Sequence, residues 1–368
     1  MNHLTHKIIE RIAAEGPIPF ETFMEMALYE PGIGYYTRES MEIGRAGDFY
    51  TSPHLHPLFG AMIGRQIMEM QGIMGSPFHV IEMGAGMGHL CNDILSFVKD
   101  KPIFEDFSYI IVEMNPSVRK SQEALLREFE GKVSWVSSLD ELQPMRGCLL
   151  SNELPDAFPV RLVEMSDDLM EVFVSWEGDR FVEVKRPASQ EVRDYLSEFS
   201  GDLPGGYRTE ANLRVRDWLR DLSAVVTEGF ILTIDYGYTA SDYYSEEHDR
   251  GTLLCYHRHT LNEDPYKNIG EQDITAHLNF SSLKKWGEEL GFRTMGFCAQ
   301  GTYLIALGID EVITELYGAS PDPFEIAKIK GLILPQGMGE SHRVMIQYKG
   351  PASPTLRGFS FRNQARYL

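Results

Sequence analysis

An α/β fold is what this sequence predicts: a parallel sheet with helices on both faces, a helical N-terminal cap and an inserted subdomain of meander and helices. Three observations carry that expectation. Apolar strand runs and helical patterns alternate from about residue 78, the order of a parallel sheet joined by crossover helices. The alternation stops near residue 160, gives way to closely spaced strands, and resumes near 228. Before residue 70 the apolar residues recur at helical spacing.

In chain order, residues from about 4 to 70 read as helical, interrupted by "EPGIGYYTRESMEIGRAGDFYTSPHLHP". That interruption is long for an unstructured loop and points to function. "HVIEM" is a strand, "GHLCNDILSFVKD" a helix and "SYIIVEM" a strand. "PSVRKSQEALLREFE" is a helix with Pro116 in its first turn. "KVSWVSS" and "GCLLSNE" are strands. "PVRLVEMSDDLMEVFVSWEGDRFVEVKRP" reads as three antiparallel strands joined by polar turns. "SQEVRDYLSEFS" and "NLRVRDWLRDLSAVVTEG" are helical, and "FILTIDYGY" rejoins the sheet. "SSLKKWGEELGF" is a helix; "RTMGFCAQ" and "RVMIQYKG" are the last strands. The expected division is a cap with a lid loop at 1–70, a core at 71–160 and 228–350, an insertion at 160–227, and a tail at 351–368.

Composition narrows the function. With 34 basic against 54 acidic residues the formal charge is -20, which gives no electrostatic footprint for nucleic acid. An acidic surface would favour a basic substrate segment, although on charge alone plain solubility is the better account. Cys91, Cys148, Cys255 and Cys298 have neither metal-ligand nor redox spacing. The N-terminus carries acids and no continuous apolar stretch, so neither a signal peptide nor membrane insertion is expected. The expected location is a bacterial-type cytoplasm.

"VIEMGAGMGHLCNDIL" decides the ligand class. Gly84, Gly86 and Gly88 let the chain turn sharply and let a ligand approach the backbone, and the following helix offers free N–H groups to an anion. A dinucleotide fingerprint would place its third glycine at 89, where His89 stands, and the Lys and Ser/Thr of a phosphate loop are missing. Glu82 precedes the glycines and is expected in the pocket. A carboxylate there repels a pyrophosphate and suits an ammonium group. S-adenosylmethionine has an ammonium, a carboxylate and no phosphate, and E-x-G-x-G-x-G is similar to the first motif of class I methyltransferases. Glu113 ends the second strand, 31 residues beyond Glu82, where an acid accepts ribose hydroxyls. After the third strand, Ser138, Leu139 and Asp140 stand where an adenine would lie.

"YEPGIGYY", "GRAGDFYTSP", "VIEMGAGMGHLCNDIL", "SNELPDAFPV", "IDYG" and "GTLLCYHRHTLNEDPYKNIGEQDITAHLNFSSL" together resemble the MidA-type methyltransferases, over about residues 29–345. The resemblance implies a seven-stranded Rossmann-like class I methyltransferase fold and S-adenosylmethionine as methyl donor. It also implies a protein substrate, an arginine of a complex I-type subunit as for the mitochondrial members. One departure is Ser341-His342, where the resemblance leads one to expect an aromatic residue and then a basic one.

Transfer of a methyl group to arginine brings two cations together, since guanidinium stays protonated. The pocket then needs carboxylates to offset charge, orient the planar group and take a proton. "SNELPDAF" follows the fourth strand and supplies Asn152, Glu153 and Asp156. Glu153 and Asp156 would share a face on one helical turn; a plain helix cap is the alternative. Asp48, Tyr50, Thr51 and Ser52 are candidates for a lid over the cofactor, or else a turn and a helix cap. Asp235 and Tyr236 end the fifth strand near the site, and "QDITAH" carries Asp273 and His277. His257, His259 and His277 lack the spacing of a metal site. A methyltransferase for a small molecule or another side chain, and a non-catalytic assembly chaperone with a retained cofactor site, are the rival functions. Monomer and homodimer both stay open.

Overall fold

Among the described residues, seven strands follow one another across the central sheet of the larger of two bodies into which the chain divides. The structure is a computed structural model and describes residues 1–38, 52–258, 260–318 and 322–368. The strands are β1 (Phe78–Met83), β2 (Phe107–Val112), β3 (Val133–Val136), β4 (Met145–Asn152), β5 (Val226–Tyr238), β6 (Arg293–Ala299) and β7 (His342–Lys349). Their order across the sheet is β3-β2-β1-β4-β5-β7-β6. The first five are mutually parallel, and β7 runs antiparallel between β5 and β6. The order reverses between β1 and β4, the switch point outside which ligands of open α/β sheets bind.

The strands are near-continuous apolar runs because helices cover them. Val80, Cys148, Leu150, Leu232 and Ile346 share one core cluster with Phe59, Ile63, Ile67, Ile94 and Val98. The last five come from α1 (Leu58–Met74) and α2 (His89–Val98). These helices lie unusually close: a Cβ built on Gly60 would stand 2.3 Å from the Asp93 Cβ, and one on Gly64 3.0 Å from the Phe97 ring. The helix that the sequence reading assigned to the N-terminal cap is therefore part of the core. Helices also occupy Gln300–Leu307, Ile309–Tyr317 and Pro323–Ile333, a stretch for which the sequence reading assigned no element.

The second body gathers residues 1–49, 155–217 and 238–282. Its meander is as expected: strands Arg161–Met165, Leu169–Glu177 and Arg180–Pro187 pair antiparallel. Strand Arg208–Ala211 extends it on one side, and Ile18–Pro19 pairs with Leu169–Glu177. Helices His3–Glu15 and Phe20–Tyr29 bury Leu4, Ile8, Ile12, Phe20 and Phe23 in a cluster with Leu162, Val172, Val174 and Ile274. Glu21 forms an ion pair with the guanidinium of Arg161 (2.8 Å) and accepts a hydrogen bond from that of Arg214 (2.7 Å). The boundaries expected from sequence are corrected accordingly. Cap and insertion make one body, and 238–282 joins them rather than the core.

Candidate functional site

β1 ends at Met83, and the chain turns through three left-handed glycines before α2: Gly84 (φ 73°), Gly86 (φ 53°) and Gly88 (φ 87°). Side chains rarely adopt this region. A Cβ on Gly84 would also meet Leu154 Cδ1 at 3.1 Å. The turn leaves bare backbone at the carboxyl edge of the sheet, with the first N–H groups of the ten-residue α2 immediately after it.

Glu113 follows β2 and is held by its neighbours. Its Oε1 accepts from the Asn115 N–H at 2.7 Å and its Oε2 from Gln122 Nε2 at 3.3 Å. Burial raises its pKa, and those bonds temper the rise. Gln122 lies on α3 (Pro116–Leu125), which Asn115 caps through the Ser117 N–H, with Pro116 in the first turn. The same Gln122 Nε2 donates to the Gly86 carbonyl at 2.7 Å, and Oε1 accepts from Trp135 Nε1 at 2.9 Å. A fully buried amide thus ties the glycine turn, the acid after β2 and strand β3 into one network. Sequence reasoning missed Gln122; a lone glutamine within a helix carries no signal of its own.

Glu82 is not open to the turn as the sequence reading placed it. It is 2 % exposed, and its Oε2 accepts from the Tyr109 hydroxyl of β2 at 2.7 Å. Burial pushes its carboxyl up to about 7, against the lowering effect of that hydrogen bond. Leu139 is buried at the start of a single turn after β3. Ser52 is buried, and its hydroxyl donates to Gln300 Oε1 at 3.2 Å. Asp48, Tyr50, Thr51 and His259 lie outside the described residues.

A second group forms at the end of β4. Glu153 has φ 52°, unusual for a glutamate, and its N–H continues the sheet by donating to the Ile234 carbonyl at 2.8 Å. Asn152 Nδ2 and His342 Nε2 both stand 3.2 Å from Glu153 Oε1. The His342 ring packs on Tyr236 with centroids 4.0 Å apart. Asn152 Oδ1 is buried and has no hydrogen-bond partner among the described residues. An orphaned acceptor at the carboxyl edge of the sheet is expected to find its donor on a ligand.

Asp156 does not share a helical turn with Glu153. The left-handed Glu153 precludes a helix there, and a short turn begins only at Pro155. Asp156 belongs to the second body, where its carbonyl accepts from the Ala276 N–H at 2.9 Å. Tyr29 and Tyr36 of that body stack at 5.4 Å, and Tyr36 donates to Asp273 Oδ1 at 2.7 Å. Burial, then the charges of Asp273 and Asp156, hold the Tyr29 hydroxyl far above its ordinary range. Asp235 is buried and accepts from the Tyr236 N–H. His257 and His277 bond to the carbonyls of Glu271 and Thr252.

The profile of a family described as "Putative S-adenosyl-L-methionine-dependent methyltransferase" matches residues 62–298. The chain belongs to this methyltransferase family. The match runs through the glycine turn, Glu113, Gln122 and Glu153, so the geometry above is that of an S-adenosylmethionine-dependent methyltransferase. A superfamily member from Burkholderia thailandensis, solved bound to S-adenosyl-homocysteine, superposes with a TM-score of 0.92 at 31 % identity. That match covers 99 % of this chain and 96 % of the other. The mitochondrial protein arginine methyltransferase NDUFAF7 homolog of Drosophila melanogaster is 27 % identical, over 94 % of this chain and 85 % of its own. The Homo sapiens protein arginine methyltransferase NDUFAF7 is 25 % identical, over 88 % and 76 %. The chain is thus similar throughout to methyltransferases with this sheet. The left-handed glycine turn, the braced Glu113 and the orphaned Asn152 acceptor are chemically suited to a ligand with ribose hydroxyls, an ammonium and a carboxylate.

Proposed function

We propose that this methyltransferase acts on an arginine side chain of a protein, in the first instance a complex I-type subunit. The observation that carries the reading is the carboxylate of Glu153, held by Asn152 and His342 at the end of β4. The names of the mitochondrial relatives support it. S-adenosylmethionine supplies a methyl group on a sulfonium; the N–C bond forms as the S–C bond breaks, and the bonding pair stays on sulfur. The residues of this chain do the rest. The glycine turn and Glu113 hold the donor by backbone and ribose contacts. Glu153 faces a substrate that arrives as a cation next to another cation. Its charge offsets the repulsion, its oxygens orient the planar nitrogen group, and it receives the proton that the methylated nitrogen sheds. Tyr29, Tyr36, Asp156 and Asp273 form an aromatic and acidic cluster in the second body, of a chemistry that suits a basic polypeptide.

Mass spectrometry of proteins from cells with and without the gene tests the reading. An arginine that loses its methyl mark with the gene, and regains it with the wild type but not with Glu153→Gln, is the expected result. Methylation on another residue type or on a small molecule would replace the arginine assignment. Partner assembly restored by Glu153→Gln with no methylation at all would favour the chaperone role.

A further inference from the structure

Ser341 and His342 stand at the start of β7, and the structure puts the His342 ring against Glu153. His342 is fully buried. Its Nε2 stands 3.2 Å from Glu153 Oε1, and its Nδ1 stands 3.1 Å from the Ser341 hydroxyl. Ser341 itself is exposed. The Glu153 side chain is only 9 % exposed. A continuous path of polar atoms therefore runs from a nearly buried carboxylate, through one imidazole, to a hydroxyl in water.

We propose that His342 and Ser341 are a proton exit for Glu153. This rests on the reading above that Glu153 receives the proton shed by the methylated nitrogen. A carboxylate that keeps that proton is neutral and no longer offsets the next cation, so each turnover requires its removal. The proton passes from the Glu153 carboxyl to His342 Nε2. The imidazolium so formed has both N–H groups aimed at acceptors, Glu153 Oε1 and Ser341 Oγ. The Nδ1 proton then leaves to Ser341 Oγ as that hydroxyl gives its own to water, and the ring is left as its Nε2–H tautomer. After product release Nδ1 takes a proton back through Ser341 and Nε2 gives its own to water entering the emptied pocket, which restores the starting tautomer. No electron changes hands, and the net result is an ionised Glu153 and one proton in solvent. Imidazole is suited to this because its charge changes close to neutral pH.

The surroundings favour a ring that is held and can still take up charge. The Tyr236 ring packs against it with centroids 4.0 Å apart and planes tilted by 43°, and the His342 backbone N–H donates to the Met338 carbonyl at 3.3 Å. The charged neighbours along the strand compensate each other in part. Arg343 is paired across the sheet with Asp235 and lies 3.9 Å from Glu340. His342 acts on the reaction through Glu153, so it is a positioning and relay residue, while Ser341 connects it to water.

Two measurements on the full chain test the relay. In the first, histidine-labelled protein saturated with S-adenosylhomocysteine is followed by nitrogen NMR from pH 5.5 to 8.5. The His342 ring nitrogens are expected to exchange between protonated and bare forms in this window, and Glu153→Gln, which removes the adjacent carboxylate, is expected to change that exchange. A ring fixed in one neutral tautomer throughout would overturn the relay. In the second, tritiated S-adenosylmethionine is incubated with extract from a strain lacking the gene, whose proteins await methylation. His342→Ala should slow incorporation about tenfold or more with unchanged S-adenosylhomocysteine affinity. Added imidazole should restore much of the rate, and pyrazole, the same size but a far weaker base, should not. Equal rescue by both would reduce His342 to a space-filling ring and sink the proposal. His342→Gln, which keeps a polar side chain of similar reach, should stay slow; full activity in it would do the same. The underlying reading fails separately: it falls if Glu153→Gln incorporates methyl normally. If Glu153→Gln is dead while His342→Ala is at wild-type rate, the relay alone falls.

Discussion

Replacing Glu82 by glutamine removes one titrating proton from beneath the glycine turn while keeping an oxygen for the Tyr109 hydroxyl. Burial moves the Glu82 carboxyl from its ordinary 4.5 to about 7. Between those two pH values the folded chain keeps a proton that the unfolded chain has released. Stability from this group is therefore complete below about 4.5, falls as the pH rises, and is lost above about 7. At about 1.4 kcal/mol per pH unit the ionised form costs roughly 3 kcal/mol in the folded chain. Glu82→Gln has no such slope. At pH 8 it should be the more stable protein by up to that amount, and the gap should close towards pH 5. Urea unfolding of ligand-free protein, followed by a probe in the core body at pH 5, 6, 7 and 8, checks this. S-adenosylhomocysteine titration of the same samples reads the other side. If the ionised carboxylate serves the ligand's ammonium, Glu82→Gln binds more weakly, and the deficit grows with pH. Parallel stability curves for both proteins from pH 5 to 8 would refute the argument that Glu82 is buried and holds its proton.

Gly86→Val should abolish S-adenosylhomocysteine binding with the circular dichroism spectrum kept, because a branched side chain is strained at φ 53°; normal binding would move the ligand away from this turn. Glu113→Ala should weaken binding by about 1–3 kcal/mol, the range for hydrogen bonds to a charged group, and calorimetry with an unchanged dissociation constant would place the ribose elsewhere. Gln122→Leu removes the bonds to Gly86 and Glu113 and orphans the Trp135 N–H. It should cost about 1–3 kcal/mol of stability and weaken the ligand as well; equal affinity would reduce Gln122 to a packing role. Glu153→Gln should keep ligand affinity and lose about a hundredfold or more in turnover, read as methyl incorporation in the extract assay.

The sheet was legible because its strands announce themselves as short apolar runs bounded by turn residues, and the glycine turn because glycine at alternate positions has few other uses. Asn115 and Pro116 marked the start of α3 by ordinary capping chemistry. What could not be read is where separate elements meet. The periodicity of Leu58–Met74 says helix but not against what; Gly60 and Gly64 decide that, by letting α2 come close. Gln122 owes its role to Trp135 and Gly86, which reach it only in three dimensions. Glu153 looked like the start of a helix shared with Asp156, since nothing in a glutamate forecasts a left-handed backbone. Ser341-His342 stood out only as a mismatch, and its meaning came from the neighbour 189 positions earlier.

The patchwork make-up of the second body bears on how the chain is made. Its apolar interior needs Leu4 and Phe20 from the first segment, Val172 from the second and Ile274 from the third. A ribosome adding about 5–20 residues per second takes on the order of ten to fifty seconds to travel from the first of these to the last. Throughout that interval the two leading helices have emerged with their greasy faces uncovered, and no local partner can finish the job. Such long-range closure is slow even in the complete polypeptide. Newborn chains should therefore lean on holding chaperones. Truncations that end before residue 275 should aggregate rather than yield a shorter folded product, and a split or permuted version is most promising where both pieces carry a whole body's worth of strands.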